Sequence, residues 1–275
     1  MAGTIGAETR QKIKYAILEA VRPKLKKLAE TQKSACASGG GTSGITYSPF
    51  HQALFPKSLL FAWQFERACS TVLGKCLEKA AELIAVASGR YKTVKTQKRL
   101  EGTISNAARV TLDSIINSLR TQGFQGQRFD ELAEKVASAY RGGNGSKIRI
   151  VVDLYLEGWQ GNEEFYEMKS PLPNKDQCVA TTEKLLAIHA VKHALSPRVT
   201  AKYAMAFNPF GESRSEYRHS IAQKYLDLET EVLIGAEFWD HLGGNGTYKD
   251  LLDIYAEAGR EIRPDLGKVL GVESS

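Results

Sequence analysis

Residues 147–177, KIRIVVDLYLEGWQGNEEFYEMKSPLPNKDQ, decide how the chain is read. The run 148–156 is rich in β-branched residues and predicts a buried strand. Residues 159–162 supply the Gly and Asn of a turn. The run 164–169 alternates, so Phe165, Glu167 and Lys169 fall on one face of a second strand. Asp153 lies on the first strand, thirteen residues separate it from Glu167, and one residue separates Glu167 from Lys169. A carboxylate on one strand and a Glu-x-Lys on its neighbour can meet at one point. Two acidic side chains there offer oxygen ligands to a hard divalent cation. A lysine beside them can orient, or help deprotonate, a water that attacks phosphorus. The plain alternative is a hairpin with solvated charges on its outer face. Two features favour the site. Asp153 sits inside IVVDLYL, where an isolated charge is costly to bury without a partner or a metal. Asn174 stands where a helix N-cap is wanted, with Asp176 and Gln177 suited to the first turn. That brings a helix N-terminus, which welcomes phosphate, near the end of the Glu-x-Lys strand.

Outward from this stretch the pattern alternates between helix and strand. Residues 178–195 continue a helix and 199–207 (VTAKYAMAF) read as a third strand. Strand, strand, helix, strand is the order of a mixed sheet with a crossover helix. A short strand is expected at 232–234, and helices at 213–226, 235–242 and 247–259. Upstream, helices are expected at 8–32, 57–87, 101–121 and 129–140. A Gly/Ser-rich loop falls at 34–49 and a basic segment at 88–100. The expected fold class is α/β (α+β), a mixed sheet flanked by helices with a helical N-terminal half. The expected division is a mainly helical part over 1–146, a catalytic core over 147–260 and a tail over 261–275.

The chain has 275 residues, enough for a substantial core, and a net charge of +6 that permits nucleic-acid binding without proving it. No run is long and apolar enough to cross a bilayer. The N-terminus lacks the pattern of a secretory signal. The four cysteines form no CxxC pair, which points to reduced thiols in a cytosolic protein and away from zinc. His189 and His193 stand four apart, but Ala190 occupies the place of the glutamate in HExxH, so they read as helix-face histidines. No glycine cluster is followed by the Lys-Ser/Thr of a P-loop. Glu66 interrupts an apolar helix face. It is either a surface glutamate or a further carboxylate for the metal site.

The Asp…Glu-x-Lys layout resembles the PD-(D/E)XK nuclease superfamily, with Val152 where the superfamily name has Pro. FYEMKSPLPNKDQ, YAMAFNPFG and LIGAEFWDHLGGNGTYKDLLDIYAEAG, with PFHQALFP and FERACSTVLGKCLEKAAELIA upstream, resemble the TdeIII family of type II restriction endonucleases over about residues 47–260. The resemblance implies a homodimeric, Mg²⁺-dependent endonuclease (Mn²⁺ substituting) that cuts duplex DNA at a short palindrome similar to GGNCC. It implies a prokaryotic cytoplasm and a DNA methyltransferase of matching specificity as functional partner. Asp153, Glu167 and Lys169 fall on the catalytic positions, with the main-chain carbonyl of Met168 a further metal ligand. Lys175 and Gln177 would lie near the scissile phosphate. Arg214 and Arg218 are candidates for reading guanine. Lys95, Lys98 and Arg99 are candidates for the DNA backbone. Two other classes stay open: a structure-selective repair or recombination nuclease, and a non-catalytic DNA-binding protein with a nuclease-like core.

Overall fold

The computed structural model describes residues 4–37, 48–139 and 144–270. The elements run α1 (Ala7–Ala37), α2 (Pro49–Leu54), α3 (Lys57–Ala87), β1 (Tyr91–Ser105), α4 (Asn106–Gln122), α5 (Phe129–Ser138), β2 (Gly145–Gly158), β3 (Glu163–Lys169), α6 (Lys175–Lys192), β4 (Val199–Met205), a single 3₁₀ turn (Arg214–Glu216), α7 (Ser220–Tyr225), β5 (Val232–Ile234), α8 (Ala236–Gly243) and α9 (Thr247–Leu270). The Gly/Ser-rich stretch expected at 34–49 lies mostly outside the described residues, although α1 continues through its first four positions.

The chain divides into two compact units. One comprises residues 6–80 and 250–275. Here α1 buries Ile13, Ile17, Val21 and Leu25, the helical repeat visible in the sequence, and Pro23 is accommodated inside it. Arg10 and Lys14 pair with Glu257 at 2.7 Å and Glu261 at 2.8 Å on α9.

The other unit, residues 1–5 and 81–249, holds a five-stranded sheet in the order β1-β2-β3-β4-β5. β1/β2 and β2/β3 are antiparallel, while β3/β4 and β4/β5 are parallel. Helix α6 makes the crossover that a parallel neighbour requires. It is buried almost all round, through Cys178, Val179, Leu185, Leu186, Ile188 and Ala190, and shares one core with α4, α5 and the sheet.

One expectation is corrected here. Residues 91–105 are not a basic segment leading into a helix; they form the longest strand, paired along its length with β2. A strand as apolar as IVVDLYL is central, and a central strand needs a neighbour at both edges. Tyr91, Thr93, Val94 and Thr96 supply the β-forming residues. The helix begins at Asn106 because Ser105 caps it, its hydroxyl accepting the Ala108 N–H at 3.2 Å. A second correction concerns 213–226. Its middle is extended at Tyr217, whose buried hydroxyl donates to the Pro171 carbonyl at 2.6 Å, and only α7 is α-helical.

Candidate active site

The site lies where β2 and β3 part. Their register runs from Glu157↔Glu163 to Leu154↔Tyr166 and stops, while β3 goes on pairing with β4 to Lys169↔Met205. The next residue of β2 is Asp153. Its side chain takes over the orphaned backbone: Oδ2 accepts the Met168 N–H at 2.9 Å. The side chain of Asp153 is 13 % exposed, and Glu167 is 3 % exposed. Buried carboxylates of this kind need partners, and they have them. Lys169 reaches both, with Nζ 2.8 Å from Glu167 Oε1 and 3.4 Å from Asp153 Oδ2. The three residues singled out from the sequence therefore do converge.

Burial pulls the Lys169 ammonium toward neutrality, but its hydrogen bonds and ion pairs with Glu167 and Asp153 outweigh that and hold its pKa above the ordinary lysine value. As it stands between the two carboxylates, it is a cationic hydrogen-bond donor. Two more residues complete the cluster, and the reading of the sequence named neither. Lys184, from α6, pairs with Glu167 Oε2 at 2.5 Å. Gln97, from β1, donates Nε2–H to Asp153 Oδ1 at 3.2 Å. Helix α6 is fixed beside the site by the expected cap: Asn174 Oδ1 accepts the Gln177 N–H at 2.9 Å, and Gln177 Oε1 accepts the Asn174 N–H at 3.0 Å.

The donor set suits a divalent cation. One ammonium already stands within reach of both carboxylates, so a single positive centre can be shared by Asp153 and Glu167. The oxygens are hard ligands of the kind Mg²⁺ takes. Among the described residues no three acidic, His or Cys side chains gather around one point. Glu66 lies in the other unit, where its carboxylate accepts from Ser70 at 2.5 Å.

The remaining candidates fare differently. Lys95 and Arg99 are exposed on β1, on either side of Gln97, and Lys98 stands 5.5 Å over the Tyr155 ring. Lys175 stacks 5.4 Å over Tyr225, and Gln177 spends its side-chain carbonyl on the cap. Arg218 is exposed over Phe210 at 5.6 Å. Arg214 is engaged within the chain. Its Nε donates to Glu237 Oε1 at 2.7 Å, its terminal nitrogens to Glu237 Oε2 and to the Leu228 and Val232 carbonyls. Buried His189 engages the Ala194 carbonyl through Nδ1 at 2.9 Å, and burial lowers its pKa.

The profile of the type II restriction endonuclease HinfI matches residues 6–259. The chain belongs to the HinfI family of type II restriction endonucleases. Curated relatives agree. The type II restriction enzyme HgiCII of Herpetosiphon aurantiacus is 34 % identical over 223 residues, 81 % of each chain. HgiBI and HgiEI, type II restriction enzymes of the same organism, are each 36 % identical over 212 residues, 77 % of each chain. This is the enzyme class that the motif runs resemble. It makes the protein a site-specific deoxyribonuclease acting on DNA, from a class that generally uses divalent metal ions. Among the described residues no helix is long and apolar enough to cross a membrane.

Proposed function

We propose that this HinfI-family protein hydrolyses duplex DNA with Mg²⁺ at a short palindrome, similar to the GGNCC implied by its motif runs, using Asp153, Glu167 and Lys169. The observation that carries the reading is the convergence of those three side chains at the point where β2 and β3 separate. Asp153 and Glu167 hold the ion, with the Met168 carbonyl as a further oxygen ligand. Mg²⁺, or Mn²⁺ in its place, supplies Lewis acidity toward the scissile phosphate. Lys169, as a cation, orients the attacking water and stabilises charge developing on the phosphoryl oxygens. Lys184 neutralises Glu167 from the opposite side. In-line attack breaks the bond from phosphorus to the 3′ oxygen and leaves a 5′-phosphate and a 3′-hydroxyl. The exposed Lys95 and Arg99 meet the DNA backbone beside Asp153, and Arg218 is the remaining candidate for guanine. A two-fold homodimer presents one such site to each strand of a palindrome. Self-cleavage is prevented by a methyltransferase of matching specificity in a prokaryotic cytoplasm.

The test is digestion of long unmethylated duplex DNA with Mg²⁺, beside a Lys169→Ala variant, with fragment ends sequenced. Discrete fragments ending at one palindrome and lost in the variant are expected. Cutting that follows DNA structure instead of sequence would indicate a repair-type nuclease. Binding without cutting would indicate a module that keeps only the fold.

A further inference from the structure

β1 carries one residue in left-handed backbone. Gln97 has φ +48°, left-handed backbone in mid-strand, where glutamine has no intrinsic reason to be. The register on either side is regular, Thr96↔Leu154 and Lys98↔Val152, so no residue is inserted. The interruption falls opposite Asp153 alone. The side chain set free by it donates Nε2–H to Asp153 Oδ1 at 3.2 Å. The other carboxylate oxygen already accepts the Met168 N–H at 2.9 Å and faces Lys169. With a donor on each oxygen, both side-chain torsions of Asp153 are fixed. Backbone strain that aims a side chain at a reactive group is a recurrent feature of functional sites.

We propose that Gln97 is a positioning residue for cation binding: from β1 it holds the Asp153 carboxylate in the orientation in which Asp153 and Glu167 share one divalent ion. The inference rests on the reading of Asp153 as a metal ligand given above. It extends the site from the hairpin to a third strand, through an amide that stays uncharged and so does not compete for the ion. The donor that orients a metal ligand commonly governs affinity by about 10–100-fold.

The experiment measures Mn²⁺ binding to the full-length protein without DNA, by the electron paramagnetic resonance signal of free Mn²⁺. The variants are Gln97→Gly, Gln97→Asn, Asp153→Asn and the double variant Gln97→Gly with Asp153→Asn. Glycine accepts the left-handed backbone and removes the side-chain amide; asparagine also tolerates that backbone, but its amide is one methylene short. Expected are binding in the parent, near-complete loss in Asp153→Asn, and about 10–100-fold weaker binding in Gln97→Gly. The Mn²⁺ concentration for half-maximal DNA cleavage should rise by the same factor. In the double variant the glycine should add nothing to the loss, whereas a purely architectural residue would add its own. Should Gln97→Gly melt below the working temperature, Gln97→Asn decides: weakened affinity supports the proposal and parental affinity overturns it. Parental affinity in Gln97→Gly beside a clear loss in Asp153→Asn overturns the positioning role and leaves the metal reading standing. Unchanged binding in Asp153→Asn, or none in the parent, overturns the metal reading and this proposal with it.

Discussion

Two glutamates are buried at the sheet and its crossover helix, and they are handled in opposite ways. Glu167, 3 % exposed, stands between two ammonium groups, Lys169 at 2.8 Å and Lys184 at 2.5 Å. Glu231, fully buried, has a hydroxyl and an amide: Thr182 donates to Oε1 at 2.5 Å and the Asp227 N–H to Oε2 at 3.0 Å. Burial pushes the Glu231 carboxyl up to about 8, and the Thr182 and Asp227 hydrogen bonds only partly offset it. Its surroundings favour a neutral acid that ties β5 to α6. Glu167 is matched by positive charge from two elements. Burial of a carboxylate therefore does not by itself mark a reactive group; Glu167 differs in having two ammonium groups bonded to it.

The sharpest way to break this contrast is to make the same substitution at both places. Glu167→Gln should reduce cleavage of duplex DNA by about 10³-fold, a loss of the size that follows removal of one preorganised electrostatic group. Glu231→Gln, which keeps the shape and removes only the ability to ionise, should stay within a few-fold of the parent. Comparable losses in initial cleavage rates at saturating Mg²⁺ would mean that the two carboxyls had been wrongly separated.

The next effect is thermodynamic and belongs to Glu231. Its folded pKa, about 8, lies above its ordinary value of 4.5. Such a group favours folding while protonated, so its contribution is full below about 4.5 and is lost as pH rises through 8. A displacement of that size corresponds to on the order of 5 kcal/mol across the window. Lys202 and Asp227, which face the same carboxyl with opposite charges, shape the curve. Denaturant unfolding from pH 4.5 to 8.5 should show this decline in the parent and a flatter profile in Glu231→Gln. An equally steep decline in the variant would move its origin elsewhere.

Lys184 gives a smaller and more discriminating effect. Lys184→Met removes a charge-assisted bond from Glu167 and should lower stability by about 1.5–3 kcal/mol. If Glu167 is built to receive a cation, added Mg²⁺ should recover part of that loss by replacing the missing ammonium. Thr182→Val deprives Glu231 of its hydroxyl donor, and Mg²⁺ should do nothing for it. Melting temperatures of both variants with and without Mg²⁺ give the answer. Equal recovery in both would show the ion acting nonspecifically.

What could be read in advance follows the same division. The β2–β3 hairpin, its turn and the Asn174 cap were legible because each is a local pattern: β-branched runs, an alternation, a capping residue before a helix. β1 was not, because basic and polar residues fill its exposed positions and Ile104 fits a helical repeat as well as a strand. Only the need of β2 for a second neighbour argued for it. Gln97 meets Asp153 from 56 residues away through the β1–β2 register, which no local pattern encodes. Lys184 did leave a trace. On a helix buried as widely as α6, a lysine needs an acidic partner. The pairing of Arg214 was not legible either, because Glu237 lies 23 residues further on.

The smallest expected effect concerns the exposed cations on β1. Lys95 and Arg99 flank Gln97 and lie open to solvent, unlike Arg214, whose guanidinium is committed to Glu237 and two carbonyls. An exposed cation that meets a phosphate releases a counterion on binding, so its loss lowers the salt dependence of affinity by about one in the log–log slope. Lys95→Ala and Arg99→Ala should each do this while leaving the cleaved sequence unchanged, because a phosphate contact carries no base information. Arg214→Ala should leave the slope where it is and lower the melting temperature instead. Affinity for duplex DNA measured without divalent metal over a range of salt separates the two outcomes. A flattened slope in Arg214→Ala would show that its pairing with Glu237 opens when DNA binds. The boundary between residues that hold the fold and residues that meet the substrate would then have to be redrawn around β5 and α8, away from β1.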